Sequence, residues 1–372
     1  MDESGATINL GVIGCGGFGL FALQQFAQTP GVRLAGMAGT ARPAARAAAE
    51  RYGLADIEDV DQLLASPEVA LVYIATPPFL HFEQARAALA AGKHVICEKP
   101  LALNVEQADE LVALARRHDR LLVANQMQRY NDVFEIIRRL TVEQPLGVVL
   151  HGYFENYASD EHLPADHWFW DRAKSGGIFI EHGVHFFDLV AGWLGEGEVV
   201  AAQASSRHDG RVEDHVQCAV RYAGGVHFNF YHGFHQPGRL DRQELRLVFE
   251  RGDVTLHGWV PTLARIHGIA NEPDMRRLCE LFPGARVDAV CTYSGRDREC
   301  IGHGRQHDVY QQFDLYWGEG RQKLAIYCEL LRRLLADQLA WIGDRRHVRN
   351  VSEQNGRDAL ALACAADRLA HR

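Results

Sequence analysis

The stretch GGIFIEHGVHFFD, Gly176 to Asp188, sets a glutamate, two histidines and an aspartate among apolar residues. At about 100° per residue, positions 181, 185 and 188 fall within a sector of roughly 60°, so Glu181, His185 and Asp188 are expected to stack as a carboxylate, imidazole, carboxylate column on one helix face. An imidazole with a pKa of about 6.5 exchanges protons with a hydroxyl at neutral pH, and a neighbouring carboxylate would orient it and stabilise its charged form. His182 lies about 100° further round and is expected to leave that face as a packing or supporting residue. Gly176 and Gly177 remove side chains where the helix begins, which would let a ligand approach its backbone. His182 and His185 also have a permissible metal-ligand spacing, with Glu181 beside them. His208, His215, His227, His232 and His235 are scattered through later segments, and nineteen histidines make chance pairs common, so no metal is expected.

Lys99, between Glu98 and Pro100 in CEKP, is the second reactive candidate. An ammonium with three donors can hydrogen-bond a substrate hydroxyl and stabilise the alkoxide character that develops as hydride leaves carbon. The alternative is a solvated surface lysine. Its place at a strand end, next to a proline, favours the functional reading.

Gly14, Gly16 and Gly19 spell GxGxxG between an apolar run and a helical segment. Glycine there permits the tight turn, a close approach to a pyrophosphate and close helix packing, and the helix N-terminus offers N–H groups to the phosphates. Gly17, Phe18, Thr76, Pro77, Glu98 and Gln126 complete the expected cofactor site. An NAD site calls for an acidic residue about 20 positions beyond the glycines. Here the sequence reads Gly39, Thr40, Ala41, Arg42, a hydroxyl and a guanidinium suited to a 2′-phosphate, so NADP is expected, with NAD possible.

Positioning these residues requires two kinds of architecture. From Ile8 to about Gln126, strand-length apolar runs (INLGVIGC, VRLAGMAG, LVYIAT, HVICEKP, LLVANQ) alternate with alanine-rich helical segments, which implies βαβ units and a doubly wound parallel sheet. Gly92 in AALAAGKH supplies a helix stop just before the next strand. Beyond about Met127, strand patterns such as EVVAAQASS, HVQCAVRY, VHFNFYHGF and ELRLVFER follow one long helix and suggest an α+β domain with a mostly antiparallel open sheet. The expected class is therefore α/β, with a Rossmann domain over residues 1–127 and a substrate-binding and oligomerisation domain over residues 128–372. Asn271 to Gly304 is too irregular to assign.

The chain has 372 residues, a net charge of -9, 47% hydrophobic and 23% charged residues, the range of an ordinary globular protein. No basic run with interleaved aromatics is present, which argues against nucleic acid, and no apolar run reaches the roughly 20 residues of a membrane span. Asp2 and Glu3 precede the first apolar run where a secretory signal would be basic. Eight scattered cysteines without a CxxC pair fit free thiols in the cytoplasm.

GVIGCGGFG, VYIATPP, GKHVICEKPLALN and SGGIFIEHGVHFFD together resemble the glucose-fructose oxidoreductase, inositol dehydrogenase and rhizopine-catabolism (Gfo/Idh/MocA) superfamily, over nearly the whole chain. The resemblance implies an NAD(P)-dependent oxidoreductase acting on secondary alcohols of sugars, cyclitols and related diols. It identifies Lys99 with the lysine of the EKP motif and His185 with the histidine that usually transfers the proton, and it places a polyol contact in MQRYN, at Gln128. The commonest relatives carry aspartate four residues before that histidine, whereas this chain has Glu181. Asn156 is expected to face the cleft, and Trp168 either packs on a sugar ring or, with Trp170, plugs the sheet. Two other readings stay open: a redox-neutral glycoside-cleaving enzyme that reduces its cofactor transiently, and a non-catalytic sugar or dinucleotide sensor. Self-association as a dimer or tetramer is expected, because an open sheet needs cover.

Overall fold

The structure is a computed structural model that describes residues 7–39, 43–54, the backbone of 56–57, 59–206, 212–302 and 304–372. Packing divides the chain into two compact units. The first comprises 1–130, 166–188 and 327–367, and the second 131–165, 189–326 and 368–372. The first unit thus takes up the chain again twice after residue 130.

The first unit is built on a parallel sheet. Its strands are β1 (Ile8–Ile13), β2 (Val32–Ala38), β3 (Asp56–Ile57), β4 (Leu71–Ile74), β5 (His94–Cys97) and β6 (Leu122–Ala124), in the order β3-β2-β1-β4-β5-β6. All five pairings are parallel. Helices α1 (Gly17–Phe26), α2 (Pro43–Arg51), α3 (Val60–Ala65), α4 (His81–Ala90) and α5 (Val105–His118) make the crossovers. Burial on both faces explains why the strands read as continuous apolar runs: every residue of β4 is buried. Gly92, at φ 76°, ends α4, and its neighbour Lys93 donates its N–H back to the Ala88 carbonyl at 2.9 Å. The order of strands reverses between β1 and β4, so the glycine turn after β1 lies at the switch point where such sheets bind ligands.

Beyond residue 130 come α6 (Asp132–Glu143) and β7 (Val149–Ser159), then a short helix α7 (Arg172–Ser175), a π-helical turn (Phe179–Gly183) and α8 (Val184–Leu194). The second sheet follows: β8 (Gly197–Ser206), β9 (Glu213–Tyr222), β10 (His227–Gln236), β11 (Arg242–Phe249), β12 (Gly252–His257) and β13 (Ala264–Ala270). After helix α9 (Glu272–Leu281) come β14 (Arg286–Thr292), the hairpin β15 (Glu299–Gly302) and β16 (Arg305–Asp308), and β17 (Gln311–Trp317). Two helices, α10 (Lys323–Gly343) and α11 (Glu353–Ala370), end the chain. The nine-stranded order is β14-β17-β13-β12-β11-β7-β10-β9-β8, antiparallel throughout except between β7 and β10. The expected mostly antiparallel sheet is present, and the segment Asn271 to Gly304 contributes α9, the edge strand β14 and the first strand of the hairpin, β15. Among the described residues, no helix is long and apolar enough to cross a membrane.

Candidate functional site

The glycine turn separates into two pairs with different duties. Gly14 follows β1 at φ 94°, and a Cβ there would lie 2.6 Å from the Ala75 carbonyl carbon and oxygen. A Cβ on Gly19 would come within 2.3 Å of the Gly14 carbonyl oxygen, so this position must be bare for α1 to seat against the turn. Cβ atoms on Gly16 and Gly17 would instead enter open space, with nothing within 4 Å. No side chain caps the start of α1, so its first-turn N–H groups remain available to an anion. A cradle that is tight beneath and open above fits a dinucleotide pyrophosphate. Phe18 turns to aromatic packing, its ring centroid 6.1 Å from both Phe21 and Tyr327. Thr40 and Arg42, on which the choice of NADP rests, lie outside the described residues.

At the carboxyl ends of β4 and β5, buried polar groups lock the two loops that follow. Thr76 Oγ1 donates to Gln84 Oε1 at 2.6 Å, and Pro77 precedes a 3₁₀ turn over Pro78–Leu80. His81, wholly buried, sets Nδ1 2.7 Å from the Pro100 carbonyl and Nε2 2.8 Å from the Thr76 carbonyl, tying the two loops together. Burial pushes its pKa down. Glu98 accepts hydrogen bonds from the Tyr73 hydroxyl and from Asn125 Nδ2, the latter at 2.6 Å, so the carboxylate assigned to the cofactor is held by its own unit. Gln126 is buried after β6, and its Nε2 has no hydrogen-bond partner among the described residues. A buried amide donor left over at the ligand edge is a further feature that suits a polar cofactor.

Lys99 is fixed by Glu181, within the stretch Gly176 to Asp188. Its Nζ donates to Glu181 Oε1 at 2.7 Å and to the Glu181 backbone carbonyl at 2.8 Å. Both side chains are largely buried, 16% and 13% exposed. An ammonium has three donors, so two bonds leave one N–H for a substrate oxygen. His185 is buried, and its pKa is pushed well below 6.5, first by burial, then by the nearby Lys99 charge and by His182. It is therefore a neutral imidazole at neutral pH, able to accept a proton.

Each carboxylate of the expected column pairs with a cation. The π turn over Phe179–Gly183 adds a residue to the helical repeat where Glu181 and His182 sit, so the 100° step fails there. The carboxylates have separate cations: Glu181 takes Lys99, and Asp188 takes Arg129. Arg129 Nε donates to Asp188 Oδ2 at 2.8 Å, and its second nitrogen donates to Oδ1 and to the Asp188 carbonyl, both at 2.9 Å. Burial raises the Asp188 pKa and Arg129 opposes it. The nearby Lys99 charge and His182 both lower the pKa of His185, the opposite direction to the carboxylate stabilisation expected from the sequence. Gly176 and Gly177 serve backbone geometry, at φ 82° and 94°, and Cβ atoms there would meet Ile180 at 2.7 Å and Arg172 at 2.8 Å.

Gln128 is buried in the turn Met127–Tyr130, beside the Arg129 clamp. The sequence does not mark Arg129 within MQRYN, because arginine is so often solvated that its type alone carries no signal. Trp168 belongs to the first unit, in the turn Trp168–Trp170, where the buried ring is that of Phe169. Asn156 belongs to the second unit, buried on β7, where its Nδ2 donates to the Gly233 carbonyl at 3.3 Å.

Two family models match the sequence: one described as an oxidoreductase family with an NAD-binding Rossmann fold, over residues 8–126, and one described as the Gfo/Idh/MocA C-terminal domain, over residues 134–255. The chain belongs to the Gfo/Idh/MocA oxidoreductase family. Within the family, it is 33% identical over 184 residues to 1,5-anhydro-D-fructose reductase of Ensifer adhaerens, covering 48% of this chain and 54% of that protein. It is 32% identical over 213 residues to a dTDP-3,4-didehydro-2,6-dideoxy-alpha-D-glucose 3-reductase of Streptomyces violaceoruber, covering 56% and 60%. The chain thus spans about half the length of the curated relatives it matches. The fold is similar to that of levoglucosan dehydrogenase in complex with NADH and L-sorbose, with a TM-score of 0.77, 20% identity, and 98% and 97% of the two chains covered. WlbA dehydrogenase of Bordetella pertussis with NADH and UDP-GlcNAcA gives a TM-score of 0.76 at 20% identity, over 99% and 96%.

Proposed function

We propose that this chain is an NAD(P)-dependent oxidoreductase that moves a hydride between a nicotinamide cofactor and a secondary alcohol or ketone of a sugar, cyclitol or related diol. The observation that carries the reading is the Lys99, Glu181 and His185 group, buried in the same unit as the glycine cradle. Gly16, Gly17 and the N–H groups opening α1 would hold the pyrophosphate, with Gln126 near the reacting end; when bound, the nicotinamide ring supplies the two-electron hydride chemistry. His185, neutral by virtue of its burial, accepts the hydroxyl proton. Lys99 directs its remaining N–H at the same oxygen and stabilises the negative charge that grows there. Glu181 uses its side chain and its own carbonyl to aim that ammonium.

NADP preference is supported by Thr40 and Arg42 and by the lack of a carboxylate from 39 to 42. The sugar-class substrate is supported by the two curated relatives, which are named as reductases of sugar derivatives. Eight cysteines, none of them in a disulfide, support work in a reducing cytoplasm, and the nine-stranded sheet supports self-association.

The test is a panel of sugars and cyclitols assayed with NADP and NAD, following accumulation of reduced cofactor. Lys99→Met and His185→Ala are each expected to lower kcat by a factor of roughly 100 or more while leaving the dinucleotide Kd within about threefold. Normal turnover in either variant contradicts the assignment. Product formed without net cofactor reduction would favour the redox-neutral alternative.

A further inference from the structure

We propose that Asp214, His215 and His235 form a binding site for one divalent transition-metal ion of the zinc class in the second unit, a site independent of the hydride chemistry proposed above. One ligand atom from each of the three side chains lies within 4.8 Å of the others, and no other such His, Cys, Asp or Glu grouping occurs among the described residues.

Strand register brings them together. In the antiparallel pair β9 and β10, His215 stands opposite Gly233, so His235, two residues further on, occupies the diagonal position on the same face. Glycine at 233 makes the approach feasible. A Cβ there would lie 2.6 Å from His235 Cε1 and 3.0 Å from His235 Nδ1, so the ring leans over space that any side chain would fill. The two imidazole centroids are 5.5 Å apart. Asp214 supplies the third group from a buried position, its Oδ1 2.8 Å from His215 Nδ1. The Tyr231 hydroxyl also borders Gly233, 2.9 Å from that Cβ position, and adds a polar neighbour.

The donor set names the ion. Two imidazole nitrogens and one carboxylate oxygen suit zinc, cobalt, nickel or copper, whereas calcium and magnesium favour shells made of oxygen. Tetrahedral bonds of about 2.0 to 2.2 Å set ligand atoms roughly 3.4 Å apart, so binding requires a modest contraction, which the exposed His235 ring at the strand end can make by rotation. Three protein ligands leave a fourth position to water or to another small ligand.

The experiment titrates chelator-stripped full-length chain with Zn²⁺ by calorimetry and with Co²⁺ by visible absorption. The wild type is expected to bind one equivalent tightly and to give Co²⁺ bands of a four- or five-coordinate site. His235→Ala and Gly233→Ala, which alter an exposed ring and its clearance, are each expected to weaken binding at least tenfold with the fold retained by circular dichroism. His257→Ala, on β12, is expected to leave binding unchanged. Absence of a one-equivalent site in the wild type overturns the proposal. So does equal affinity in His235→Ala, or an equal loss in His257→Ala.

Discussion

At the residue scale, the structure gives a use to the methylene by which Glu181 is longer than an aspartate. The longer side chain closes on Lys99 at 2.7 Å while the same residue's carbonyl accepts from the same ammonium at 2.8 Å. Removing one methylene withdraws the carboxylate by about 1.5 Å, to roughly 4 Å, beyond hydrogen-bond reach. Glu181→Asp is therefore expected to reduce kcat about tenfold with little change in KM. Glu181→Gln keeps an acceptor at the original reach and is expected to lose less. Steady-state kinetics of both variants decide between reach and charge: a larger loss in Gln than in Asp contradicts the geometric account. The pH profile belongs to His185. Alcohol oxidation requires its neutral form, and burial together with Lys99 holds its pKa below 6.5. On acidification, kcat/KM should stay level through pH 6.5 and fall only below it, since this parameter reports the free enzyme. An acid limb centred at or above 6.5 would count against His185 as the base. Residue types and the EKP context made Lys99 and His185 legible. Their electrostatic pairing was not, because two cations 82 and 59 residues away in sequence claim the carboxylates that helix periodicity had assigned to the histidine.

At the element scale, glycine spacing reported the cradle but not the division of labour within it. Period and type in GxGxxG are the same for each glycine. Only the surrounding backbone separates Gly14 and Gly19, which are crowded, from Gly16 and Gly17, which are open. Gly16→Ala should then fold normally and weaken dinucleotide binding tenfold or more, because the added methyl occupies ligand space. Gly19→Ala should destabilise the fold itself by about 1 to 3 kcal/mol, the usual range of overpacking, since the Gly14 carbonyl is backbone and must shift. Urea unfolding and cofactor titration of the two variants separate these effects, and a normal Kd in a well-folded Gly16→Ala would remove the cradle from the binding site. The parallel sheet was legible because both its faces are covered, which leaves uninterrupted apolar runs. The π turn was not. A single extra residue in the helical repeat leaves no compositional mark, yet it re-aims Glu181 and His182.

At the scale of the whole molecule, the composition forecast an ordinary acidic globular protein with many histidines, but which of the nineteen would be buried depends on tertiary packing. His81, His185 and His232 are buried across the two units, and each has its pKa lowered by desolvation, His232 to about 3. Unfolding returns such a ring to water and to a pKa of about 6.5, so below pH 6.5 the unfolded chain binds protons that the native chain does not. Stability contributed by each group is complete above pH 6.5 and is lost on acidification, at about 1.4 kcal/mol per pH unit per imidazole, until the native pKa is reached. For His232 that window runs from 6.5 down to about 3. Its ring lies on β10 with its centroid 5.4 Å from that of Phe154, in surroundings that accept another aromatic ring. His232→Phe should therefore raise the stability of the chain at pH 5 by about 2 kcal/mol more than at pH 8, because 1.5 pH units of proton linkage disappear with the imidazole. Urea midpoints of wild type and variant at the two pH values measure that difference, with the packing change common to both. The same stability difference at pH 5 and pH 8 would mean that His232 takes no part in the acid lability of the protein.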